Sequence, residues 1–219
     1  VDAAGVEAAA EVLHSGRSTV LLMNGILTES RLALANRIAQ KTGARIISDT
    51  FISRMRRGAG VAEIQRLPYF GEQAAEVLQG VEHLILISSQ PPITFFAYPD
   101  KPNWLTPDGC EIHTLVERDG DVDGALDALC QAVGASALQP ILVEPMRPDA
   151  PKGELNPSTV GQSLAHYFPE NAIVVDEGGT CGGGSAMATA AAPAHDWLML
   201  TGGSIGYGLP TATGAAVAC

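Results

Sequence analysis

The chain has 219 residues, with 24 acidic against 13 basic side chains and a formal net charge of −11. That surplus argues against a nucleic-acid binder, which neutralises phosphates with a basic surface, and 46% hydrophobic against 17% charged residues excludes a disordered tail. No apolar run approaches the ~20 residues of a membrane span, Val1–Ala10 carries Asp2 and Glu7 where a secretory signal is basic, and Cys110, Cys130, Cys181 and Cys219 lack CxxC spacing. The expectation is a cytoplasmic chain with reduced thiols and no zinc site, and the missing initiator Met suggests an internal piece or a processed chain.

Helical and strand patterns alternate from the N-terminus. Ala3–His14 places Val6, Ala9, Ala10 and Leu13 at helical spacing and stops at Ser15-Gly16. Thr19–Met23 is a short apolar run closed by Asn24-Gly25, the mark of a buried strand. Ser30 opens a helix to about Lys41, and Arg45–Ser48 reads as the next strand. Helix Gly71–Gln79, strand Leu84–Ile87, strand Glu111–Leu115 and helix Val122–Val133 follow. Strands separated by helices imply βαβ crossovers and a parallel sheet covered on both faces. Residues 1–134 therefore read as a doubly wound, Rossmann-like α/β domain.

Residues 135–157 hold Pro140, Pro145, Pro148, Pro151 and Pro157, an extended linker by composition. A second α/β pattern occupies 158–219: a helix capped by Ser158 and running to about Phe168, strands Ala172–Val175 and Trp197–Leu200, and a helix from near Leu209 to the last residue, Cys219. With two strands behind it, this second domain reads as incomplete and the chain as a fragment.

Two glycine-rich segments follow those strands. Ile173–Gly184 runs from a strand into five glycines within seven residues, with Thr180 among them. Backbone N–H groups at such a turn suit a phosphate, whereas Asp176 and Glu177 would repel one unless they face elsewhere or a cation intervenes; an unliganded glycine loop is the equal alternative. The second segment, Leu200–Thr211, also leaves a strand end, where open α/β sheets bind ligands. Neither fits G-x-G-x-x-G or the Walker pattern, which weakens dehydrogenase and NTPase readings.

The stretch Gly202-Gly203-Ser204-Ile205-Gly206-Tyr207-Gly208-Leu209-Pro210, continuing Thr211-Ala212-Thr213-Gly214-Ala215-Ala216-Val217-Ala218, resembles the start of the cofactor-binding domain of thiamine-diphosphate enzymes of the acetolactate synthase and benzoylformate decarboxylase group. Segment order agrees along the whole chain; the likeness is sharp over Ile173–Cys219. The resemblance implies that Ile205 supports the bent thiamine, that the Gly203 carbonyl accepts from the pyrimidine amino group, that Ser204 belongs to the same cofactor loop, and that Gly179 and Thr180 contact the diphosphate. Relatives often carry hydroxyl residues where this chain has glycines. It implies thiamine diphosphate and Mg2+ as cofactors, with the metal ligands beyond Cys219 and the pyrimidine-protonating glutamate in a preceding domain. The fragment thus holds no catalytic or metal-ligating residue and is expected to be inactive alone.

The implied reaction of the parent is decarboxylation of a 2-keto acid, with the thiazolium as electron sink, and ligation to a second keto acid. A simple decarboxylase and a non-catalytic nucleotide-binding module are the alternatives. The implied partners are a small 2-keto acid and further copies in a homodimer or homotetramer, without nucleic acid or membrane. Middle domains of relatives can hold FAD or ADP, which makes Arg54, Arg56 and Arg57 a candidate anion site, against the commoner solvated loop. The aromatic, proline-rich run Pro91–Pro99 with Trp104 reads as loop packing, or as a cover for a ligand or subunit. His113 reads as a structural strand residue, His166 as a helix residue without a metal-spaced partner, His195 and Asp196 as surface residues before a strand, and Cys181 as a thiol beside the diphosphate loop.

Overall fold

A computed structural model of the chain describes residues 1–101, 103–180 and 182–219. The elements, in chain order, are α1 (Ala3–His14), β1 (Thr19–Met23), β2 (Ile26–Leu27), α2 (Glu29–Thr42), β3 (Arg45–Ser48), β4 (Arg54–Arg57), β5 (Gln65–Arg66), α3 (Gly71–Leu78), β6 (His83–Ile87), β7 (Glu111–Val116), α4 (Val122–Ala132), α5 (Pro157–Tyr167), β8 (Ile173–Asp176), α6 (Gly182–Ala188), β9 (His195–Met199) and α7 (Gly208–Ala218). The chain forms two compact units. One comprises residues 1–25, 30–50 and 64–140; the other comprises 26–29, 51–63 and 141–219.

The first unit is built on a parallel five-stranded sheet ordered β5-β3-β1-β6-β7. The chain leaves β1 toward one edge, then returns to build the other, so the order reverses between β1 and β6. This is the α/β class expected from the sequence, with the strand order of a Rossmann-like sheet. β1 and β6 are buried on both faces, as central parallel strands should be. Val20, Leu22, Leu84 and Leu86 pack with Ala74 and Leu78 of α3 in one cluster. Strand alternation turns Leu21, Met23, Ile85 and Ile87 to the opposite face, where they are equally buried. Asp2 caps α1 by accepting from Ala4 N at 3.1 Å, and Asp121 caps α4 by accepting from Gly124 N at 2.9 Å.

The second unit has a mixed sheet ordered β2-β4-β9-β8, in which β4 and β9 are antiparallel while β2–β4 and β8–β9 are parallel. Two of its strands, β2 and β4, come from stretches that the sequence assigns to the first 134 residues. The triple-arginine stretch, expected as a solvated loop or an anion site, is strand β4. Asn156, not Ser158, caps α5. Its side chain accepts from Thr159 N at 3.0 Å, and Thr159 Oγ1 accepts from Asn156 N at 2.9 Å. Pro157 then takes the first helical position, where its missing N–H costs nothing and its fixed φ suits the helix. Gly182–Gly184, read as loop, opens α6. A Cβ on Gly161 of α5 would lie 2.7 Å from the Gly184 carbonyl, so part of this glycine richness lets two helices approach closely.

Candidate cofactor site

The parallel pairing of β8 with β9 matches Asp176 to Met199. Both glycine segments therefore leave from adjacent carboxyl ends of one strand pair, the edge where α/β sheets collect ligands. Glu177 joins the two segments. One carboxylate oxygen accepts from Gly206 N and the other from Gly208 N, the latter at 2.6 Å. These two backbone bonds hold its carboxyl below the usual glutamate range. Asp176 is also turned inward: Oδ1 accepts from Gly178 N at 2.9 Å, and Oδ2 accepts from the Trp197 indole N–H at 3.1 Å. The sequence left these two carboxylates as a source of repulsion. Both are engaged by the protein, and Glu177 is a loop-organising residue that no motif marked.

Gly179 and Thr180 are exposed on the first loop. Residues Thr201–Gly203 form a short 3-10 turn on the second, with Gly202, Gly203 and Gly206 at φ 64°, 65° and 94°. Ser204, at φ −73° and ψ 81°, makes an inverse γ-turn in which Ile205 N donates to the Gly203 carbonyl at 2.9 Å. That carbonyl keeps a second lone pair. Ile205 is 93% exposed. A branched aliphatic side chain with almost nothing of its own unit against it is held there by local turns, not by core packing. Leu209 and Val217 of α7 are likewise 84% and 85% exposed.

An exposed apolar side chain, a hydroxyl and glycine-lined backbone thus stand on two loops tethered by Glu177, a donor set able to meet an anionic group beside an aromatic ring. Among the described residues, Gly179, Thr180, Ser204 and Ile205 are exposed. A cleft of about 500 Å3 in the same unit is lined by Ala59, Met146, Arg147, Glu170 and Asn171 among others, and by none of Gly179, Thr180, Gly203, Ser204 or Ile205.

The remaining sequence candidates fall elsewhere. Arg54 forms a two-pronged pair with Asp196, both contacts at 2.9 Å. Arg56 donates to Asn171 Oδ1 at 2.9 Å and lies 3.6 Å from Asp196. Arg57 donates to the Ala186 carbonyl at 2.6 Å and stacks 4.8 Å over the Trp197 ring. The three arginines knit β4 to its own unit, which argues against an anion site. His195 and Asp196 are not surface residues ahead of a strand but part of β9. His195 is fully buried, and the Asp196 side chain is 13% exposed. The antiparallel partner β4, invisible to local pattern, covers them. His166 Nδ1 lies 2.8 Å from the Pro148 carbonyl. Tyr69, Phe95, Phe96 and Tyr98 form a run of ring contacts between 4.7 and 6.3 Å, and each ring is a third or more exposed. The Cys181 reading lies outside the described residues. At the reversal of the first sheet, Asn24 donates to Asp49 Oδ2 at 2.8 Å, and burial raises the Asp49 carboxyl above the ordinary range. Among the described residues, no helix is long and apolar enough to cross a membrane.

No protein-family model matches the chain. It is 48% identical over 210 residues, 95% of its length, to the protein of Mycobacterium tuberculosis named "Putative acetolactate synthase large subunit IlvX". The chain spans 40% of that protein's length.

Proposed function

We propose that this chain is a segment of an acetolactate synthase-like, thiamine-diphosphate-dependent enzyme, which decarboxylates a 2-keto acid and ligates the remainder to a second keto acid. The observation that carries the reading is Ile205, an exposed isoleucine presented by turns at the carboxyl edge of β8 and β9. The similarity to a relative with an acetolactate synthase name supports it independently. When bound, the cofactor supplies an electron sink for the carbon that loses CO2.

The chain's own residues have simpler tasks. Ile205 offers apolar support and keeps water from the cofactor's underside. The free lone pair of the Gly203 carbonyl accepts an amino proton, and Ser204 fixes the turn that aims it. Gly179 and Thr180 take the diphosphate through backbone and hydroxyl donors. Glu177 holds the loop of Ile205 to the loop of Thr180. Mg2+ would be held by residues outside this chain, and the whole protein would be an oligomer.

The test is product analysis of the whole protein with thiamine diphosphate, Mg2+ and pyruvate, alone or with a second keto acid. A 2-hydroxy-keto acid is expected. Aldehyde alone would replace this reading with a simple decarboxylase. Tight FAD or ADP binding without any response to thiamine diphosphate would replace it with a nucleotide-binding module.

A further inference from the structure

The parallel register of β6 and β7 sets His83 opposite Glu111 and Ile85 opposite His113. Alternation then puts His83, Glu111 and His113 on one face of the sheet. Their donor atoms all lie within 4.8 Å of one another. His83 Nδ1 and His113 Nε2 are 3.2 Å apart, and His83 Nδ1 is 4.0 Å from Glu111 Oε2. The other Glu111 oxygen lies 3.9 Å from Arg17 Nη1, and Arg17 Nε donates to Glu82 at 3.1 Å. The cluster thus has a buried anchor in His83, a half-buried second ring in His113 and an exposed carboxylate in Glu111.

We infer that His83, His113 and Glu111 form a binding site for a divalent transition-metal ion of the zinc class. An ion with tetrahedral ligands at ~2.1 Å holds neighbouring donors about 3.4 Å apart, close to the separation of the two ring nitrogens. The exposed glutamate needs only a side-chain rotation to complete the set. Two imidazoles and one carboxylate select zinc, cobalt or nickel over magnesium, which prefers an all-oxygen shell. Arg17, 3.9 Å from the other Glu111 oxygen, stays within reach of that carboxylate. Three protein ligands leave a coordination position for water. Sequence spacing conceals the site because its two strands are 28 residues apart at the paired positions His83 and Glu111. The inference concerns the first unit and is independent of the thiamine reading.

The test is titration of the metal-free full chain with Co2+, followed by visible absorption and by equilibrium dialysis with metal analysis. The expected result is one equivalent per chain, with the bands of a four- or five-coordinate ion, displaced by Zn2+. His113→Gln and Glu111→Gln, both outside the deep core, should each weaken binding about tenfold or more, with an unchanged unfolding midpoint. Cys110→Ser should leave the titration as it was. Absence of saturable binding up to roughly 1 mM Co2+, or binding that persists in both ligand variants, would overturn the site.

Discussion

Lowering the pH should strike the second unit through His195. Its ring is fully buried. The Nδ1–H donates to the Pro193 carbonyl at 2.8 Å, and Nε2 has no hydrogen-bond partner among the described residues. The Phe168 ring lies 4.5 Å away by centroid and Trp197 5.9 Å. Burial, reinforced by Arg57 and Arg56, lowers the imidazole from 6.5 to about 4. A base with a depressed folded-state pKa binds fewer protons folded than unfolded. Stability is therefore full above the unfolded value, falls as pH drops from 6.5, and levels off below about 4. At 1.36 kcal/mol per pH unit, the loss across that window is about 3 kcal/mol as an upper bound. Urea unfolding between pH 7 and pH 4.5, for the wild type and for His195→Phe, isolates the effect. The variant keeps an aromatic ring but cannot titrate. It loses the Pro193 hydrogen bond, about 1 kcal/mol at neutral pH, and its stability should decline less steeply with acid. Parallel declines in the two proteins would refute a neutral buried imidazole.

Three further outcomes follow from the packing. Leu22→Ala, at a fully buried position of β1, should cost about 3 kcal/mol in chemical denaturation, within the usual range for a leucine truncated in a core. Gly58→Ala should cost more than about 2 kcal/mol, because Gly58 sits at φ 104° and a Cβ there would lie 2.6 Å from the Ala192 carbonyl; a neutral substitution would contradict that geometry. Glu177→Ala should speed hydrogen exchange at the Gly206 and Gly208 amides. In the wild type this tether has a depressed carboxyl pKa, so it should persist below the ordinary glutamate range and fail only as pH falls through the lowered value.

The central strands were legible because their residues obey one rule each. Val20 to Met23 and Leu84 to Ile87 are continuous apolar runs between turn residues, and the helices around them keep an apolar stripe. β4 was illegible for the opposite reason. Arg54, Arg56 and Arg57 look solvated until Asp196, Asn171 and Trp197, more than a hundred residues later, meet them across the sheet. β2 and β5 have two residues each, too few for any period. At the candidate site, the glycine loops and Ile205 stood out as a local pattern. The role of Glu177 did not, because it depends on amides 29 and 31 residues downstream. His113 looked isolated for the same reason: strand register, which local sequence does not encode, brings His83 and Glu111 to it.

Ile205→Ala in the whole protein tests the thiamine reading most directly. The side chain is 93% exposed, so its truncation should leave the unfolding free energy within about 0.5 kcal/mol. Proton exchange at the thiazolium carbon of bound thiamine diphosphate, followed by NMR, should nonetheless slow, and formation of the 2-hydroxy-keto acid should slow with it. Unchanged exchange together with unchanged cofactor affinity would contradict the support role on which the functional account stands.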